Sequence, residues 1–169
     1  MTVTSIRKDP ETLTMTISAE LDATVDRAWQ LWANPRQLER WWGPPTYPAT
    51  VVDHDLSAGG RVTYFMTGPE GDKHHGWWHV IAVDPPRRLE LTDGFADDTG
   101  APNDALPTST MVMTLTEHDP GRTLMAIETR YASLEAMEQL ASMGMEEGIT
   151  AAIGQIPEIL ADPTASRGL

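Results

Sequence analysis

The sequence predicts an α+β fold: a curved antiparallel seven-stranded sheet wrapped around a long C-terminal helix, with two short helices between the first and second strands. Three observations predict it. Residues 12–20 alternate polar and apolar side chains with period two, and six more strand-like stretches follow between residues 49 and 131. Gly, Pro and Asp turn residues separate those stretches. From residue 133 the apolar spacing changes to three and four, the period of a helix.

The first strand sets Leu13, Met15, Ile17 and Ala19 on one side and Thr12, Thr14, Thr16 and Ser18 on the other. Thr24 or Asp22 then caps a helix through Ala28, Trp29, Leu31 and Trp32. Asn34-Pro35 interrupts it, because the residue before proline resists helical angles, and proline suits the first position of a second short helix over 35–41. Four strands are expected at 49–53, 61–67, 76–83 and 88–92, in an antiparallel meander, and two more at 110–117 and 123–131. Residues 94–107 (GFADDTGAPNDALP) have no period and read as a long mobile loop. The stripe Met137, Ala141, Met145, Ile149, Ala152, Ile156 and Leu160 marks one long helix within 133–161. Ser133 caps it, and Pro157 is expected to kink or shorten it. This order is a helix-grip arrangement, in which the sheet buries the helical stripe and encloses space at its ends. The chain of 169 residues fits one domain, 1–169, with an ordered core of about 12–161 and flexible tails at 1–8 and 163–169.

Charge narrows the function classes. Twelve Lys and Arg against 25 Asp and Glu leave a net charge of −13. Up to Leu89 there are 9 basic and 11 acidic residues (−2); from Glu90 onward there are 3 and 14 (−11). Nucleic acid and anionic membrane surfaces need clustered cations, and the only lysines are Lys8 and Lys73. Without cysteine there are no disulfides, thiolate nucleophiles or Cys-ligated zinc. The N-terminus lacks the apolar stretch of a signal peptide and no apolar run has membrane-spanning length, so a cytoplasmic protein is expected.

Several short segments recur together in a known order. Val25-Asp26-Arg27-Ala28-Trp29 lies in the first helix, Trp41-Trp42-Gly43-Pro44 follows the second, and Gly59-Gly60 opens a strand. Pro85-Pro86-Arg87-Arg88-Leu89 enters the fifth strand, and Met145-Glu146-Glu147-Gly148 lies in the last helix. In this order they resemble the activator-of-Hsp90-ATPase homologues, within the START-like, Bet v 1-like (SRPBCC) superfamily, over roughly Leu13 to Ala161. The resemblance implies a cavity between sheet and long helix that holds an apolar or amphipathic small molecule. No cofactor is expected. The family's eukaryotic co-chaperone has an additional chaperone-binding domain for which this length leaves no room, and Ile149 stands where many relatives have Trp; both argue against Hsp90 activation.

Other chemistry is weaker. If His74, His75 and His79 lie on one strand, His74 and His75 diverge, and His75 and His79 sit roughly 13 Å apart, too far to share an ion, so no metal is expected. Gly59-Gly60 lacks the Gly-Lys-Ser/Thr ending of a phosphate loop, and no nucleophile elbow surrounds any serine. His79 and Glu128 could serve as acid and base only from a shared cavity, yet strand parity turns Glu128 away from Met125 and Ile127. The methionines, nine in all, are the more informative residues, because flexible thioethers adapt to varied ligands.

The leading expectation is a binder of a small apolar or amphipathic molecule without robust catalysis. Its contacts are expected from Trp42 at the mouth, Tyr64 and Met66, His79, Met111 and Met113, and Met145 and Ile149 on the long helix. The acidic exterior favours a neutral or weakly cationic ligand. A second expectation is a cyclase- or hydrolase-like enzyme acting on an aromatic or polyketide-type substrate, marked by a polar pair inside the pocket. A third is a co-chaperone-like interaction module, or a homodimer built on whichever of Trp77 and Trp78 faces outward.

Overall fold

Eight strands form one antiparallel sheet in the computed structural model, which describes residues 3–162. They are β1 (Val3–Asp9), β2 (Thr14–Leu21), β3 (Ala49–His54), β4 (Arg61–Thr67), β5 (Lys73–Asp84), β6 (Arg88–Ala96), β7 (Ser109–Asp119) and β8 (Arg122–Tyr131). Their spatial order is β1-β2-β8-β7-β6-β5-β4-β3. Strands β3 to β8 are a meander, but β2 pairs with β8, so the chain must cross the sheet between β2 and β3. Helices α1 (Val25–Ala33) and α2 (Pro35–Trp41) make that crossing.

Local chemistry sets the crossing. The Thr24 hydroxyl accepts from the Arg27 N–H at 3.2 Å and starts α1, whose Val25, Ala28, Trp29, Leu31 and Trp32 are buried. Asn34 ends α1 and caps α2, accepting from the Arg36 N–H at 2.9 Å with Pro35 at the first turn. The inward rows of the sheet are Met15, Ile17, Ala19 and Leu21 on β2, Leu89 and Leu91 on β6, and Met111, Met113 and Leu115 on β7. Each of the Met, Ile and Leu side chains among them contributes about 1.5–3 kcal/mol on full burial.

Helix-grip topology is therefore the observed fold, with eight strands instead of seven. The additional strand is β1, in a segment expected to be a flexible tail. It pairs along β2, Ile6 opposite Ile17, while its side chains from Ser5 to Asp9 stay exposed. An edge strand held by its backbone ladder leaves no burial pattern for a sequence to display. The other expected tail, 163–169, lies outside the described residues.

Two further elements differ from expectation. β6 runs on to Ala96, past its expected end at Thr92, and the following segment is tied back to it. Asp97 Oδ1 accepts from the backbone N–H groups of Thr99 at 2.9 Å and Ala101 at 3.1 Å, and the Asn103 N–H donates to the Phe95 carbonyl at 2.8 Å. The C-terminal helix is three pieces: α3 (Leu134–Ser142), α4 (Met145–Ile153) and α5 (Ile156–Ala161). Gly144, at φ 81°, adopts the left-handed conformation that ends α3, and its N–H bonds the Ala141 carbonyl. A second break falls at Gly154-Gln155, leaving Pro157 in the first turn of α5, where its missing N–H costs nothing. The breaks reset the helical phase: Met137, Ala152 and Ile156 are buried as the stripe requires, whereas Ala141 and Met145 are exposed. Among the described residues no helix is long and apolar enough to cross a membrane.

Candidate functional site

Between the inner face of the sheet and α3–α4 lies a solvent-open cleft of about 580 Å³. Period-two alternation supplies its wall: Met15 and Ile17 from β2, Tyr64 and Met66 from β4, Asp93 and Phe95 from β6, Met111 from β7, and Ile127 and Tyr131 from β8. Leu140, Met143, Met145 and Ile149 close it from the helices, and Trp42, Pro44 and Tyr47 from the segment after α2. Met143 and Met145 are 46% and 38% exposed, so the helical rim is wet.

The floor is aromatic. Trp42 meets Trp78 edge to face at 4.8 Å between ring centroids and Tyr64 at 6.0 Å; Trp32 stands 4.9 Å from Trp41 and 5.9 Å from Trp78. The Trp41 indole donates to the Leu31 carbonyl at 2.9 Å, anchoring the end of α2 to α1. Gln155, between α4 and α5, donates to the Gly43 carbonyl at 2.7 Å. The Trp41-Trp42-Gly43-Pro44 segment is thus fastened to the sheet by its rings and to the helical lid by its backbone. Gly76, opposite Tyr64 on β5, makes room for the phenol: a Cβ there would lie 2.5 Å from the ring.

At the inner end of the cleft sits a polar pair. Tyr64 Oη donates to Asp93 Oδ1 at 3.3 Å. Asp93 follows Leu89 and Leu91 along the inward row of β6, opposite Trp78 on β5 and Ser109 on β7. Burial pushes its carboxyl up to about 7, only partly offset by the hydrogen bonds from Tyr64 and the Gly94 N–H. Burial, and next the neighbouring Asp93 charge, hold the Tyr64 phenol well above its ordinary range. Tyr131, on β8, is raised by burial and then by Glu146. At the rim, the hydrogen bond from His74, 2.5 Å from Asp72, lowers the Asp72 carboxyl.

Of the residues expected to make ligand contacts, the structure gathers Trp42, Tyr64, Met66, Met111, Met145 and Ile149 around the cleft. Met113 shares the inward face but is fully buried below it, packed in the core. His79 points the other way, because Trp78 and Val80 take the two inward positions beside it; its neighbours across the sheet are Arg61 and Thr92. Glu128 is also on the outer face, 3.5 Å from Arg130, so the whole sheet separates His79 and Glu128 from the cleft. Trp78 is the inward member of its pair, and Trp77 lies outward across Gly94, donating to the Phe95 carbonyl at 2.8 Å. Asp93 was missed because the expected strand stopped one residue before it. The signal was present: Leu89, Leu91, Asp93 and Phe95 continue one alternating row.

A curved sheet gripping C-terminal helices, with a concave space between them, defines a helix-grip protein. The family model for activator of Hsp90 ATPase homolog 1-like proteins matches residues 22–161, and the chain belongs to that family. Protein Ms6760 from Mycobacterium smegmatis is 55% identical, with 94% of this chain and 96% of that one covered and a TM-score of 0.87. A protein from Arthrobacter aurescens is 47% identical over 98% of this chain and 95% of that one, with a TM-score of 0.91. The AHSA1 protein of Silicibacter pomeroyi, 21% identical with 88% and 97% covered and a TM-score of 0.69, shares the fold. No curated protein matches the chain.

Proposed function

We propose that this protein binds a small apolar or amphipathic molecule in the cleft between sheet and helices. The observation that carries the reading is the union of a cleft of about 580 Å³ with methionine and aromatic walls. That volume lies within the range of small-molecule sites, and flexible thioethers accommodate varied shapes. Titration with N-phenyl-1-naphthylamine, a neutral dye that brightens in apolar surroundings, tests it. Saturable one-to-one binding that is weakened at least fivefold by I149W, which narrows the cleft, is expected. Unsaturable binding, or binding indifferent to I149W, contradicts the reading.

The polar pair Tyr64–Asp93 favours a second reading, acid–base chemistry on an aromatic or polyketide-type substrate. A carboxyl near 7 exchanges protons readily at neutral pH. Turnover of a poly-β-ketone analogue that is lost in D93N with dye binding intact would favour the enzyme; its absence favours binding alone.

A further inference from the structure

We propose that Asp93 is the polar anchor of the cleft and selects ligands in which an apolar body carries one basic amine. This deepens the binding reading above and rests on it.

The charges of the cleft all point one way. Its lining includes two carboxylic acids, Asp93 at the inner end and Glu147 at the rim, and neither lysine nor arginine. His74 lies at the rim beside Asp72. No ion pair is made to Asp93 among the described residues. Its one side-chain partner is the Tyr64 hydroxyl, a neutral donor at 3.3 Å. A carboxylate accepts through two oxygens and about four lone-pair directions, so the pair leaves acceptor capacity facing the cleft.

A buried carboxylate facing an apolar space without a counterion is costly, and a ligand that brings the counterion removes the cost. An ammonium does so with a charge-assisted hydrogen bond. The aromatic floor adds to the preference: Trp42 and Tyr64 line the cleft with Asp93, and aromatic rings attract a cation over their faces and do nothing there for an anion. An anionic ligand would meet two acids and no cation. A neutral alcohol could donate to Asp93 but would leave its charge uncompensated.

The experiment compares three probes of one shape: 1-naphthylmethylamine, 1-naphthalenemethanol and 1-naphthoate, each displacing the dye at pH 8. The amine is expected to bind at least tenfold more tightly than the alcohol, with the carboxylate weakest. D93N should erase the amine's advantage over the alcohol, whereas E147Q should preserve the order. An amine no tighter than the alcohol overturns the anchor while leaving the cleft reading intact. A preference lost in E147Q but kept in D93N moves selection to the rim and overturns it as well. If neither dye nor probes bind, the cleft reading fails and the anchor with it. Carbon-13 NMR of the wild-type Asp93 carboxyl needs no variant: saturating amine should lower its titration midpoint by at least one pH unit, and an unmoved midpoint refutes the contact. The ionisable groups that face the same space are Tyr64 beside it and Glu147 and His74 at the rim.

Discussion

The floor of the cleft and its helical rim are built on opposite principles. Beneath the floor residues Trp42 and Tyr64, Trp32, Trp41 and Trp78 are completely buried, and their rings meet at angles that interlock α1, α2 and the sheet. At the rim, α3 and α4 meet at a left-handed glycine, and Met143 and Met145 stand in solvent. On the binding reading proposed above, the floor would fix where a ligand stops, and the rim, made of flexible thioethers beside a helix break, would adapt to what enters. That reading assigns specificity to the floor and tolerance to the rim.

Removing one ring should break the floor. W78A is expected to cost about 3–5 kcal/mol of unfolding free energy, measured by urea denaturation. A loss under about 1 kcal/mol would mean that the aromatic cluster is not the structural centre. Next in size is the effect of the floor's own acid. The folded carboxyl of Asp93 is raised to about 7, so its contribution to stability is complete below roughly pH 4 and is lost as pH rises through about 7. D93N is therefore expected to exceed wild type by roughly 2–4 kcal/mol at pH 8.5 and to converge with it near pH 4. Parallel stability curves for the two proteins would contradict the burial of a charge there.

Smaller effects sharpen the same contrast. G76A pushes a methyl group against the Tyr64 ring and should cost about 1–3 kcal/mol while weakening dye binding. M145A, at the wet rim, should change stability by less than about 0.5 kcal/mol yet alter dye affinity. A rim substitution as damaging as G76A would erase the distinction between the two regions.

The sequence made much of this architecture legible, and the failures share a physical cause. Alternation in β2, the Thr24 and Asn34 caps, and the meander all rest on strong local signals, and they place Trp42, Tyr64, Met66 and Met111 around one space. β1 was invisible because its exposed side chains carry no pattern. Met145 was placed by extending one helical period through Gly144, a residue that also ends helices; its rim position comes from the break, not from the stripe. His79 turns outward because Trp78, not Trp77, takes the inward position, a parity that local sequence leaves open. Asp93 was hidden in plain arithmetic. It counts among the 14 acidic residues after Leu89, an excess read as a solvated surface, although its place on the Leu89–Leu91 row points inward. A charge sum cannot separate one inward-facing, partly buried acid from thirteen others.

The central claim is that small apolar molecules enter between the floor and the rim. The six tryptophans are reporters already in place, because each contributes one indole N–H signal to a nitrogen-15 correlation spectrum. Addition of 1-naphthalenemethanol should shift the Trp42 signal, which lines the cleft, and leave the Trp77 signal on the outer face of the sheet unmoved. A shift of Trp77 without Trp42, or no indole shift at saturating probe, would contradict the account.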